Sequence, residues 1–105
     1  MNDKLKSILG LARKANKLSL GYDPVLEVIE KKIAKLVIFS SDASSKTVDN
    51  IKRKAKSNNI YTVNIKYDMN FINSALGKKC AVISVNDEGF SKKIKSLIEE
   101  EKGIL

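Results

Sequence analysis

Several residue types are absent or rare in the 105-residue chain, which has no histidine, no tryptophan, one cysteine and one proline. Without histidine there can be no Ser-His-Asp triad, no Cys-His pair and no zinc site with imidazole ligands. The single cysteine, Cys80, cannot form an intramolecular disulfide or an all-thiolate zinc site. It indicates either a reducing compartment or nothing about the compartment. We therefore predict no catalytic residues, no metal and no cofactor.

Long apolar runs are also missing. No stretch approaches the roughly 20 apolar residues of a membrane span, and the N-terminal residues Met1–Lys4 lack the apolar core of a signal peptide. We therefore expect a cytoplasmic protein without a membrane partner. Because most domains contain roughly 100–150 residues and no linker or repeat divides the chain, we predict a single domain over residues 1–105.

Positive charge is in excess. The chain has 20 Lys and Arg against 12 Asp and Glu, a net charge of +8, and a pI of about 9.6. Such an excess raises the affinity for polyanions before any specific contact forms. A nucleic-acid partner is the favoured interpretation, and a merely solubilising surface is the alternative.

Hydrophobic periodicity predicts helices that alternate with strands. Helical spacing of apolar residues covers 3–15, which ends at Asn16, and a stretch from Asp23-Pro24 to near Lys32. It also covers 44–57 after a cap at Asp42 or Ser44, 68–76 between a cap at Asp68 and Gly77, and a last stretch from Asn86-Asp87 to Gly103. Strand-like runs cover 18–20, 35–40, 60–65 and 80–85. This alternation predicts the α/β class: one three-layer α-β-α sandwich with a central mixed sheet of about four strands.

Motifs for nucleotide binding and catalysis are missing. Neither a P-loop nor a Gly-x-Gly-x-x-Gly sequence occurs. Asp87 and Glu88 are adjacent, but they lie at a predicted helix start, where acidic residues favour the helix dipole. Cys80 opens an apolar strand, where a small buried side chain is the simplest role.

Lysines are the remaining candidates, and they occur in clusters. The predicted helix ends carry Arg13, Lys14 and Lys17, then Lys31, Lys32 and Lys35. Lys78 and Lys79 follow Gly77 in a tight loop that has no structural need for adjacent cations. The remaining cations are those of the third helix (Lys52, Arg53, Lys54 and Lys56) and of the last (Lys92, Lys93 and Lys95). They are predicted to form solvated faces, and a binding surface is the alternative.

The turn Gly21-Tyr22-Asp23-Pro24 is a second candidate. A helix N-terminus presents unpaired backbone N–H groups that attract phosphate or base edges, and Gly21 lets another backbone approach closely. The alternative is that Gly21 is only a turn and Asp23 only a cap.

Several short segments together resemble one known family. They are Leu9–Ala15, Ala34–Ile38, Ser41–Ser44, Ala75–Lys78 and Val85–Phe90. In this order they resemble the kink-turn-binding ribosomal proteins of the L7Ae/L30e type, in particular the small bacterial YlxQ-type branch. The resemblance implies an α-β-α sandwich that binds RNA with a sharp internal bend flanked by sheared G·A pairs, without catalysis.

The family's recognition motif, Gly-x-Asn-Glu-x-x-Lys, opens the second helix, where this chain has Gly21, Asp23, Pro24 and Glu27. Asp23 can accept hydrogen bonds from guanine but cannot donate them as Asn does. Glu27 places a negative charge where the family has a cation, and Lys31, one turn on, could compensate for it.

The family's second contact is the loop before the last strand, where this chain has Gly77 to Cys80. Its two lysines favour contacts with phosphates. We therefore predict a non-catalytic, ribosome-associated, monomeric protein that binds kink-turn-like or otherwise bent RNA. A protein-interaction module on the ribosome or a translation factor is the alternative. The predicted RNA-binding residues are Lys14, Lys17, Gly21, Tyr22, Asp23, Glu27, Lys31, Gly77, Lys78, Lys79 and Cys80.

Overall fold

Helices and strands alternate along residues 3–101, which are the residues that the computed structural model of the protein describes. The helices in this range are α1 (Asp3–Lys14), α2 (Tyr22–Glu30), α3 (Ser45–Ser57), α4 (Met69–Leu76) and α5 (Glu88–Glu101). The strands are β1 (Leu18–Leu20), β2 (Leu36–Phe39), β3 (Tyr61–Asn64) and β4 (Val82–Val85). The predicted α/β class is confirmed, and Gly103, the predicted end of the last helix, lies outside the described residues.

The strands in residues 3–101 form one mixed sheet in the order β1-β4-β2-β3. β4 runs antiparallel to both β1 and β2, whereas β2 and β3 are parallel. The two central strands, β2 and β4, are buried along their whole length, as continuous apolar runs predict. β3, within the predicted run 60–65, lies at an edge of the sheet and has only one buried residue, Val63.

Helices cover both faces of the sheet. Successive side chains of a strand point to opposite faces, and along β2 the residues Val37 and Phe39 pack with α2 and α3. Leu36 and Ile38 pack instead with α1, α4 and α5. The three-layer sandwich is therefore confirmed, with one apolar cluster on each side of the sheet. No helix in residues 3–101 combines the length and apolarity needed to cross a membrane.

Most helix ends follow the predicted signals. The Ser44 hydroxyl accepts from Thr47 N at 3.1 Å at the start of α3. The Asp68 carboxylate accepts from two backbone N–H groups, those of residues 70 and 71, at 3.0 and 3.2 Å at the start of α4. Asn16 and Gly77 adopt the left-handed conformation that ends α1 and α4.

The start of α2 differs from the prediction. Gly21, not Asp23, is the N-cap residue: its C=O accepts from Val25 N at 3.1 Å, and no side chain caps the helix. Asp23 lies inside the first turn, where its charge favours the helix dipole. The helix ends at Glu30, before the predicted Lys32. Similarly, the last strand begins at Val82, so Cys80 lies in the preceding loop.

This difference between two aspartates is testable. Asp68→Ala removes two cap hydrogen bonds and should lower the free energy of unfolding by about 1–2 kcal/mol, which is several degrees in Tm. Asp23→Ala removes only a charge near a helix start and should cost about 0.5 kcal/mol or less. Urea unfolding of both variants measures this. An equal or larger loss for Asp23→Ala would contradict the capping role of Gly21.

Candidate nucleic-acid interface

The turn at Gly21 joins the start of α2 to the start of β4. The Gly21 N–H donates to the Val82 C=O at 2.9 Å, which continues the pairing of β1 with β4. The backbone of Gly21 has φ 98° and ψ 168°, a conformation that only glycine adopts readily. A Cβ at this position would meet Pro24 Cδ at 4.0 Å and no other non-neighbouring heavy atom within that distance in residues 3–101. The space beside Gly21 is therefore open.

The loop 77–81 lies at the same end of the sheet. Gly77 closes α4 in the left-handed conformation, with its N–H donating to the Asn73 C=O at 2.7 Å. At the other end of the loop, the Ala81 C=O accepts from Ser40 N at 2.9 Å. Lys78 and Lys79 are exposed between these two anchors. The chain thus holds two adjacent lysines outward on a loop fixed at both ends.

Cys80 lies where the Gly21 turn and the loop 77–81 approach each other. Its side chain is buried, with 7% of its surface exposed. Burial raises the pKa of the Cys80 thiol, and the charges of Lys78 and Arg13 partly offset that rise. The backbone of Gly21 also interacts with the thiol and lowers its pKa. The two segments that the sequence pointed to separately are therefore neighbours in space.

Arg13 belongs to the same surface but was not among the predicted RNA-binding residues. Its Nη1 lies 3.7 Å from where a Cβ would stand at Gly77. The packing of α1 on α4 explains this position: a Cβ at Gly10, one turn before Arg13, would lie 3.8 Å from the Ala75 C=O. The sequence showed Arg13 as a member of the first basic cluster, with Lys14 and Lys17. The packing of α1 on α4 shows that Arg13 is the member that reaches Gly77.

The other predicted residues lie at different positions relative to Gly21. Lys14 is exposed at the end of α1. Lys17 precedes β1 and so lies at the opposite end of that strand from Gly21. Tyr22 and Asp23 directly follow Gly21, and 37% of the Tyr22 surface is exposed.

Glu27 and Lys31 form a pair of their own. Lys31 Nζ donates to Glu27 Oε2 at 2.8 Å on the exposed side of α2. This hydrogen bond holds the pKa of Glu27 below, and the pKa of Lys31 above, their usual values. Lys31 therefore neutralises Glu27, and it lies at the end of α2 that is remote from Gly21.

The surface around Gly21 is rich in unpaired cations. Among residues 3–101, no carboxylate lies within 4.0 Å of the charged groups of Arg13, Lys78 or Lys79. The same part of the chain contains no group of three His, Cys, Asp or Glu side chains that could hold a metal ion. Exposed cations, an open glycine turn and a partly exposed tyrosine are suited to binding a polyanion with accessible bases.

Comparison with known proteins supports this interpretation. Two relatives are both named RNA-binding protein YlxQ. The one from Bacillus subtilis is 36% identical over 95 residues, covering 88% of this chain and 92% of its own. The one from Enterococcus faecium is 32% identical over 96 residues, covering 91% and 92%. These names agree with the prediction of a non-catalytic protein.

Solved structures share the fold. A protein of unknown function from Bacillus halodurans C superposes with a TM-score of 0.86 at 34% identity, covering 93% of this chain and 99% of its own. The 15.5kD RNA binding protein of Giardia lamblia gives a TM-score of 0.75 at 15% identity, covering 100% and 93%, a likeness of fold alone.

The family match covers most of the chain. The model of the ribosomal protein L7Ae/L30e/S12e/Gadd45 family matches residues 3–95. Together with the two YlxQ relatives, this match confirms the resemblance to the YlxQ-type branch that the sequence segments indicated. The chain therefore belongs to the ribosomal protein L7Ae/L30e/S12e/Gadd45 family.

Proposed function

We propose that the protein binds structured RNA, without catalysis, through the tip surface, which we define as Arg13, Gly21, Tyr22, Lys78 and Lys79. The observation that carries the proposal is the meeting of the Gly21 turn with the basic loop 77–81 around Cys80. The names of the two YlxQ relatives support the choice of RNA among polyanions.

The α2 end of the tip surface supplies contacts to bases and to the RNA backbone. Pro24 has no N–H group, and the Gly21 N–H donates to the Val82 C=O. In the first turn of α2, the N–H groups of Tyr22 and Asp23 therefore have no partner within the helix and can meet acceptors on RNA. The open space beside Gly21 allows an RNA strand to come close to them. Asp23 is exposed beside this turn and can accept hydrogen bonds from the N–H groups of guanine.

The cations of the tip surface supply phosphate contacts. Arg13 Nη1 lies next to Gly77, and Lys78 and Lys79 follow it in the chain. These cations come from α1 and from the loop before β4, so the phosphate contacts are supplied by two segments in addition to the α2 turn. The family membership of the chain supports a bent RNA over a regular duplex. Regular A-form helices also offer little sequence readout in their narrow major groove.

We expect the protein to recognise kink-turn RNA with contacts that differ from those of the family's motif. Since Lys31 is engaged by Glu27 at 2.8 Å, the second turn of α2 presents a neutral pair and not the motif's cation. Base recognition then falls to Asp23 and the backbone near Gly21, and phosphate contacts provide a larger share of the affinity. We place the protein in the cytoplasm, as a monomer on ribosomal or other structured RNA.

Binding to a kink-turn RNA tests the proposed function directly. We expect the protein to bind it at least tenfold more tightly than a matched RNA whose sheared G·A pairs are replaced by Watson-Crick pairs. Filter binding at moderate salt measures both affinities. Equal affinities would contradict recognition of the bend. Ribosome association that survives nuclease treatment would favour the alternative, a protein-interaction module.

The loop lysines can be tested by charge reversal. Lys78→Glu with Lys79→Glu should make the dependence of log Kd on log salt shallower by roughly 1.5–2 units, because each phosphate contact contributes nearly one unit. The control is Lys4→Glu with Lys93→Glu, at the cleft between α1 and α5, which lowers the net charge by the same amount. If both double variants change the slope equally, the loop is not at the interface.

A further inference from the structure

A second basic surface lies at the other edge of the sheet. β3 is the edge strand opposite β1, and its outer side has no strand partner within residues 3–101. A shallow cleft of about 550 Å³ opens where α3 meets this edge. Its lining is Lys52, Lys56, Asn59, Ile60, Tyr61 and Thr62. We call Lys52, Lys56, Tyr61 and Lys95 the β3 edge surface.

The two α3 lysines of this surface are not used in internal ion pairs. Lys52 and Lys56 are four residues apart, so they lie next to each other on the helix, and both are exposed. No carboxylate in the described part of the chain lies within 4.0 Å of either ammonium group, whereas Lys54 on the same helix contacts Glu30 at 3.4 Å. Like charges at this spacing slightly destabilise a helix, so helix stability does not explain them.

Tyr61 exposes an aromatic ring beside these lysines. It is 47% exposed, although Val63, two residues on and on the same side of the strand, is 7% exposed. Lys95 of α5 places its Nζ 4.0 Å from the centroid of the Tyr61 ring. An ammonium group at this distance interacts with the π face of the ring. Because Val63 packs in the cluster of α1, α4 and α5, the ring lies on the α5 face of the sheet. Lys52 and Lys56 reach the same cleft from α3, on the other face.

The sequence alone predicts solvated faces for the lysines of α3 and α5. The structure adds that an exposed ring of β3 lies under Lys95 of α5 and lines the same cleft as two lysines of α3. Lysines near an edge strand can also protect it against pairing with other chains. An edge strand is protected against pairing when it lacks exposed apolar side chains that favour strands. Exposed Tyr61 is such a side chain, so protection of the edge does not explain it.

We propose that the β3 edge surface is a second RNA-binding site, which takes single-stranded RNA. One base stacks on Tyr61, and the ammonium of Lys95 moves from the ring to a neighbouring phosphate. Lys52 and Lys56 contact the phosphates that follow. An aromatic ring for a base, combined with cations for the backbone, is the arrangement with which proteins bind single strands without a strong sequence preference.

RNA fits this surface better than a protein does. One ammonium group, that of Lys95, lies over the ring, and Lys52 and Lys56 line the same cleft. The apolar part of the cleft is limited to Ile60 and Tyr61. The site is also separate from the tip surface, so it goes beyond the function proposed above. Since the protein measures 32 × 30 × 27 Å, a structured RNA with a single-stranded extension can reach both surfaces.

The stacking of a base on the Tyr61 ring is tested by two substitutions in the full chain. The probe is a fluorescent uridine decamer, which has little structure of its own, and its affinity is measured by fluorescence anisotropy. Tyr61→Leu keeps most of the side-chain volume but removes the π face, and it should weaken binding about tenfold. Tyr61→Phe keeps the ring and should bind as the unmodified protein does. Equal affinities for the Leu and Phe variants would overturn the stacking role.

The phosphate contacts of Lys52 and Lys56 are tested by substitutions that remove the two positive charges. Lys52→Gln with Lys56→Gln should make the salt dependence of decamer binding shallower by about 1.4 units, since each phosphate contact on a single strand contributes about 0.7. Lys4→Gln with Lys93→Gln is the charge-matched control and should have less than half this effect. Equal effects of the two double variants would overturn the site, and so would Tyr61-dependent binding of polyglutamate in place of RNA.

Two further measurements separate this site from the tip surface. A kink-turn RNA without single-stranded ends should bind Tyr61→Leu as tightly as it binds the unmodified protein. In the Lys78→Glu, Lys79→Glu background, Tyr61→Leu should still weaken decamer binding about tenfold. If that effect disappears in this background, the decamer binds at the loop and the β3 edge site is refuted, whatever the outcome for kink-turn RNA.

Discussion

The hydrogen bond from the Gly21 N–H to the Val82 C=O, 2.9 Å long, positions the elements of the tip surface. Val82 is the first residue of β4, so this bond fixes the start of α2 beside the loop that leads into that strand. It requires the chain to turn from β1 into α2 within one residue, which Gly21 accomplishes at φ 98°. A side chain at this position would strain the turn and fill the space through which a ligand approaches.

Electrostatics divides the remaining surface into paired and unpaired cations. Lys31, Lys54 and Lys92 each contact a glutamate within 4.0 Å. The described cations of the tip surface and of the β3 edge surface contact none at that distance, and these two surfaces also carry partly exposed tyrosines. Most other cations in residues 3–101 are also free of ion pairs, so the exposed tyrosines Tyr22 and Tyr61 are what distinguish these two surfaces. A globally basic surface would explain weak binding to any polyanion, but not this combination of rings with free ammonium groups.

The sequence predicted those features that depend on local chemistry. Continuous apolar runs identified β2 and β4, and the caps at Ser44 and Asp68 follow from side-chain hydrogen bonding close in sequence. The sequence did not predict features that depend on packing between segments that are distant in the chain. The strand order placed β3 at an edge and exposed Tyr61, and the packing of α1 on α4 brought Arg13 to Gly77. The pair Asp23-Pro24 is typical of a helix start, but α2 begins earlier, at Tyr22. Gly21, which pairs with β4, is its N-cap residue.

Mapping of backbone amide signals by NMR tests the central claim most directly. On titration with an unlabelled kink-turn RNA, the account predicts that the largest ¹⁵N–¹H shifts occur at Gly21, Tyr22 and the loop residues 77–80, because these amides lie on the tip surface. Signals from the cleft between α1 and α5 should change little. Largest shifts in that cleft, with Gly21 and the loop unaffected, would contradict the account.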